Sequence, residues 1–135
     1  MKRVLISLVT VMVLISALPA WSAAPGFNGE EELSAMRDKI WIVYFYRNGC
    51  NWCDKQNAAL EAFRQKWGWN QIMAVNVEQE PKLAAQFQVR GVPDVWLVTT
   101  AADSPKRRRI SSGFISEPSI VPYVREAYYS WFGQQ

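Results

Sequence analysis

The 135-residue chain has no histidine and only two cysteines. Each shortage removes a class of site. Zinc is held by four protein ligands in structural sites, drawn mostly from cysteine and histidine. A zinc site here would need a second copy of the chain or carboxylates. A c-type haem needs a histidine directly after a Cys-x-x-Cys pair, and Asp54 stands there instead. Long apolar runs are missing too. The run from Val4 to Leu18 is shorter than the roughly 20 residues of a membrane-spanning helix. Internal repeats and low-complexity tracts are absent. Charge is nearly balanced, with a net value of +3, and nothing in it points to nucleic acid.

The Val4–Leu18 run follows Met1-Lys2-Arg3 and precedes Pro19-Ala20-Trp21-Ser22-Ala23-Ala24. A charged start, an apolar middle and a small-residue end make residues 1–24 a signal peptide. Cleavage after Ser22 puts Ser22 and Ala20 at the −1 and −3 positions. Cleavage after Ala24 also fits but leaves Pro25 next. An uncleaved N-terminal anchor is the alternative. Either way the domain at 25–135 is exported, and a periplasmic location with no stable membrane span after cleavage is expected. Oxidising compartments are where disulfides form and are managed. Losing Lys2 and Arg3 brings the net charge to +1. The roughly 110 residues left suffice for one small domain.

The chemistry concentrates in Cys50-Asn51-Trp52-Cys53. This segment follows the apolar run Ile40–Tyr46 and opens a stretch in which Leu60, Phe63 and Trp67 share a helical face. A buried strand therefore delivers a dithiol to the first turn of a helix. Amide N–H groups there lack intrahelical partners, and the helix dipole favours a nearby anion. A cysteine in that setting ionises more readily and becomes nucleophilic. The second cysteine, one turn along, can close a disulfide, which is the machinery of thiol–disulfide exchange. An inert structural disulfide is the blander reading, but so short a loop removes little unfolded-state entropy. A buried reduced pair fits poorly at an exposed helix start.

The remaining elements follow from pattern. Glu30-Glu31-Glu32 suit a helix start, with Leu33 and Met36 inward and Lys39 at its end. Ile40–Tyr46 reads as a strand covered on both faces. Gly68 is a natural stop for the helix from Cys50. Ile72–Val77 is a second strand, and strand–helix–strand of this length is a parallel crossover. Pro81 opens a short helix with Leu83, Ala84 and Phe87 inward. A turn at Arg90–Pro93 leads to a strand at Asp94–Thr99. Ala102–Pro105 connects to a returning edge strand, Lys106–Ser111. Its basic run Lys106–Arg109 deters pairing with other chains; a site for an acidic partner is the other reading. The last helix carries Ile120, Val124, Tyr128 and Trp131 on its buried stripe. Pro122 lacks an N–H, so a helix capped by Ser119 would place it harmlessly in the first turn.

This order resembles the thioredoxin fold, through Gly49-Cys50-Asn51-Trp52-Cys53, Asn76–Pro81, Arg90-Gly91-Val92-Pro93 and Gly113 before the last helix. The resemblance implies a three-layer α/β/α domain with a central mixed four-stranded sheet flanked by helices. It also implies a cis proline at Pro93 beside the dithiol, with the Val92 backbone offered to an extended substrate peptide. Two departures stand out. The buried carboxylate that cytosolic thioredoxins keep six residues before the first cysteine is Tyr44 here, and the lysine of the next strand is Ala74. The first strand of full thioredoxins has no counterpart. Val43–Tyr46, Lys66–Trp69 and Pro81–Phe87 further resemble the TraF/TrbB-type proteins of bacterial conjugation, which act on disulfides of transfer-apparatus proteins.

The resulting expectation is an exported thiol–disulfide oxidoreductase, with Cys50 and Cys53 catalytic and Asn51, Trp52, Val92 and Pro93 on the substrate surface. No metal or other cofactor is expected. Partners would be cysteine-containing exported proteins and a redox partner protein, with the chain a monomer. A non-catalytic thioredoxin-fold binding module, or assembly factor of a transfer apparatus, is the alternative. Metal delivery by the dithiol is a third reading.

Overall fold

The computed structural model describes residues 29–99 and 105–133. The segment expected to be a signal peptide, 1–24, and most of the connection expected at 102–105 lie outside the described residues. The elements are α1 (Gly29–Arg37), β1 (Ile40–Tyr46), α2 (Asn51–Trp67), β2 (Ile72–Asn76), α3 (Pro81–Gln86), β3 (Asp94–Thr99), β4 (Arg107–Ser112) and α4 (Glu117–Phe132). Strand order is β2-β1-β3-β4. β1 pairs parallel with β2 and antiparallel with β3, which pairs antiparallel with β4. This is the expected mixed four-stranded sheet.

Successive strand residues point to opposite faces, and β1 is apolar on both. Ile40, Ile42 and Tyr44, with Val95 and Leu97 of β3, pack against Leu33 and Met36 of α1, Leu60 and Phe63 of α2, and Ile120, Val124 and Ala127 of α4. On the other face Val43, Phe45 and Val75 meet Ala84 of α3, with Leu83, Phe87, Trp96 and Val98 partly buried around them. Among the described residues one face thus carries three helices and the other carries the six-residue α3 alone.

α2 stops where expected. Gly68 adopts a left-handed φ of 61° and its N–H bonds the Arg64 carbonyl, a conformation that glycine enters without steric cost.

The start of α4 differs from the expectation. Ser116, not Ser119, is the N-cap, and the helix runs through Pro122. Three features hold this earlier turn. Pro118 sits in the first turn, where no N–H is needed. The Ser119 N–H reaches the Ser116 carbonyl at 3.1 Å. The Glu117 carboxylate accepts the Trp67 indole N–H at 3.0 Å, tying the turn to α2. Pro122 lies on the exposed side of the helix, where solvent reaches the carbonyl that its missing N–H leaves without a helix partner. The buried stripe is Ile120, Val124 and Ala127, while Tyr128 and Trp131 are only partly buried.

The basic run on β4 is tied down from within. Arg109 Nε lies 3.1 Å from Asp94 Oδ1, and Arg108 Nη1 lies 2.9 Å from Glu126. The Arg107 guanidinium sits 4.8 Å from the centre of the Phe87 ring.

Candidate redox site

β1 ends at Tyr46, and Gly49 turns the chain with a φ of +72°. Cys50 follows in extended conformation as the N-cap of α2, with Asn51 and Trp52 exposed on the first turn. Cys53 is buried, at 2% exposure, whereas Cys50 is partly exposed. The two are joined as a disulfide. The Cys53 backbone N–H points at Cys50 Sγ over 3.1 Å. One of the helix's unpaired amides is therefore aimed at the exposed sulfur, where it would stabilise a thiolate.

Tyr44 lies beneath this turn. Its hydroxyl donates to the Cys53 carbonyl at 2.8 Å, and its side chain is almost fully buried. Burial first, then the negative charge of Asp54, pushes the Tyr44 phenol up to about 12. It stays a proton donor throughout the neutral range and is no base for Cys53. Ala74 is the register partner of Tyr44 on β2, so tyrosine and alanine stand side by side where cytosolic thioredoxins place carboxylate and lysine.

The second wall of the site comes from far along the chain. The Val92–Pro93 bond is cis, as the resemblance implied. Val92 O lies 4.0 Å from Cys50 Sγ, and the Gly113 N–H donates to the Pro93 carbonyl at 2.8 Å. Trp52, Val92, Pro93, Gly113 and Phe114 together line an open pocket of about 420 Å³. Trp52 is 56% exposed and Phe114 43%. Their ring centres are 5.9 Å apart, and the Lys55 ammonium sits 4.2 Å above the Trp52 ring. Of the site residues expected from sequence, Trp52, Val92 and Pro93 meet on one surface with the Cys50 sulfur beside Val92, Cys53 is buried behind Cys50, and Asn51 is exposed but lines neither this pocket nor the one lined by Arg47 and Arg90.

Several contributors were not anticipated. Phe114, directly after Gly113, is one of them. Gln56 is fully buried in α2 and clasps Ile115: its amide donates to the Ile115 carbonyl at 3.1 Å, and its oxygen accepts the Ile115 N–H at 2.8 Å. This fixes the Gly113–Ile115 segment against the helix that carries the dithiol. Asp94, directly after Pro93, is buried on the α3 face. Burial raises its carboxyl above the ordinary value, with Arg109 opposing that shift. Its Oδ2 makes no hydrogen bond. In sequence, only the placement of an acid next to an expected cis proline in an apolar strand hinted at this. Among the described residues no three metal-ligating side chains gather, and no helix is long and apolar enough to cross a membrane.

Solved structures share the fold. Thioredoxin-2 of the malaria parasite, "a component of malaria parasite protein secretion machinery", superposes with a TM-score of 0.56 at 18% identity, over 64% of this chain and 82% of that one. Chloroplastic thioredoxin z gives 0.55 at 24% identity, over 71% and 87%. The first thioredoxin domain of mouse protein disulfide-isomerase A4 gives 0.55 at 18%, over 74% and 71%. No match was found among curated proteins. The fold shared with these structures is thioredoxin-like, and here it carries the disulfide-linked Cys-x-x-Cys pair Cys50–Cys53 at the start of α2. The family model described as "TraF: F plasmid transfer operon protein" matches residues 16–124, most of the length, and the chain belongs to that family.

Proposed function

We propose that the protein is an exported, periplasmic thiol–disulfide oxidoreductase that exchanges disulfides with cysteine-containing proteins of the envelope or of a conjugative transfer apparatus. The observation that carries this reading is the Cys53 N–H aimed at a partly exposed Cys50 Sγ, itself 4.0 Å from the Val92 carbonyl. A thiolate at Cys50 is stabilised by that amide and faces the surface where an extended peptide would lie. It attacks one sulfur of a substrate disulfide, and the other sulfur leaves as a thiolate. Cys53 then attacks Cys50 Sγ, forming the Cys50–Cys53 disulfide and releasing the second substrate thiolate. The reverse sequence oxidises a substrate dithiol. The TraF match supports transfer-apparatus proteins as partners, and the signal-like segment at 1–24 supports export.

Cys53→Ser tests the roles. Cys50 still attacks, nothing resolves the adduct, and mixed disulfides accumulate as thiol-sensitive bands of high mass on non-reducing gels. Cys50→Ser should give few or none. Cysteine-containing transfer proteins among the trapped partners would support the conjugative role, whereas a broad envelope set would mark a generalist. If neither variant traps anything while Cys50→Ala keeps full function in the cell, a binding module in which the dithiol is incidental is the better reading.

A further inference from the structure

The surface around Cys50 is asymmetric. On one side of Val92 lies the apolar pocket of Trp52, Pro93, Gly113 and Phe114. On the other side lies a second pocket, of about 410 Å³, lined by Arg47, Val77, Val89, Arg90 and Gly91. Val92 lines both pockets, and its carbonyl is next to Cys50 Sγ. Arg47 and Arg90 are exposed, and among the described residues neither has an acidic partner. This sets them apart from Arg64, Arg108, Arg109 and Arg125, each of which is paired with a carboxylate. Two arginines lining one pocket without a counter-charge favour an incoming anion, and arginine's fork suits a carboxylate. The exposed Trp52–Phe114 pair offers the opposite chemistry, a flat apolar wall for a large side chain.

We infer that the substrate segment carries its reactive cysteine between a bulky apolar residue, seated on Trp52 and Phe114, and an acidic residue, seated on Arg47 and Arg90. This deepens the proposed redox function and rests on it. The segment crosses Val92 with its sulfur at Cys50, so residues on its two sides reach the two pockets. Because the pockets are fixed, the order of the two flanking residues matters as well as their presence.

The test uses the reduced wild-type protein and short peptides, each with one cysteine as a mixed disulfide with 5-thio-2-nitrobenzoate. Cys50 attacks the peptide sulfur and the coloured thiolate leaves. Cys53 then releases the peptide thiol and the protein is left oxidised, two electrons having passed to the peptide disulfide. Peptides flanked by Phe and Asp in both orders are compared with Phe/Lys and Ser/Ser peptides. One Phe/Asp order should react about fivefold faster than Ser/Ser, with the reversed order slower, given what one exposed ion pair and one aromatic contact contribute. The preference for Asp over Lys should shrink as salt is raised. Within the Arg47→Gln/Arg90→Gln variant the Asp:Lys rate ratio should approach one, and within Phe114→Ala the Phe:Ser ratio should fall. Equal rates on all peptides, with release still dependent on Cys50, would overturn the inference and leave the redox function standing. No release from any peptide would overturn both.

Discussion

Replacing Gln56 with leucine should destabilise the domain severely while leaving its volume nearly unchanged. Gln56 is fully buried and makes two hydrogen bonds to the backbone of Ile115, 59 residues away in sequence. Ile115 is itself buried, at 7% exposure, so neither its N–H nor its carbonyl gains water when the amide is lost. A buried polar group left unpaired costs about 1–3 kcal/mol, so the two together cost about 2–6 kcal/mol. The added apolar surface of leucine offsets about 1–2 kcal/mol of this, leaving a net loss of about 1–4 kcal/mol. A domain of this size has a total stability of roughly 5–15 kcal/mol. Urea denaturation of the oxidised protein, followed through the emission of the buried Trp69, measures the loss. A change below about 0.5 kcal/mol, the range of ordinary surface substitutions, would show that the Ile115 groups find other partners and that the clasp does not hold this segment.

Other expectations follow from single contacts. Because the folded Tyr44 phenol is raised from 10.0 to about 12, its contribution is fully present below pH 10. It is lost as pH rises toward 12, by about 2–3 kcal/mol. Tyr44→Phe should abolish this alkaline loss, and denaturation from pH 9 to 12 would show whether the two proteins converge. Asp94 is held above its ordinary 3.8 by burial, so the unfolded chain loses that proton first. Stability should therefore fall as pH rises from 3.8 through the folded value, and Asp94→Asn should remove that slope; parallel profiles for the two proteins would contradict it. Gly68→Ala forces a side chain into a left-handed φ of 61°, with Arg37 Nη1 2.8 Å from the new Cβ. A loss of about 1–2 kcal/mol is expected, mostly from the backbone since the arginine tip can move, and an unchanged urea midpoint would refute it.

The parts of the molecule legible in sequence are those fixed by local rules. The dithiol at a helix start, the glycine ending that helix and the two-faced strand β1 all follow from residue type and spacing over short distances. The parts that were not legible depend on partners far along the chain. Gln56 lies between Lys55 and Asn57 and reads as a solvated helix position; only Ile115 makes it a core residue. Ser119 is a sound cap by local rules, yet Glu117 meeting Trp67 holds the helix open one turn earlier. Phe114 gains its meaning from Trp52, on the first turn of a distant helix. The basic run on β4 suggested an edge guard, but exposure alone does not reveal that Asp94, Glu126 and Phe87 wait beside it.

The position of β1 has a consequence for synthesis. It is an inner strand of the sheet and precedes the other strands in the chain. Its antiparallel neighbour β3 ends at Thr99, 53 residues after Tyr46. At about 5–20 residues per second, a ribosome needs roughly 3–10 s to supply that partner. Throughout this interval Ile-Trp-Ile-Val-Tyr-Phe-Tyr is an uncharged seven-residue segment without proline or glycine, the composition most prone to stacking with its own kind. The nascent chain therefore depends on whatever shields those seven residues until the C-terminal half arrives.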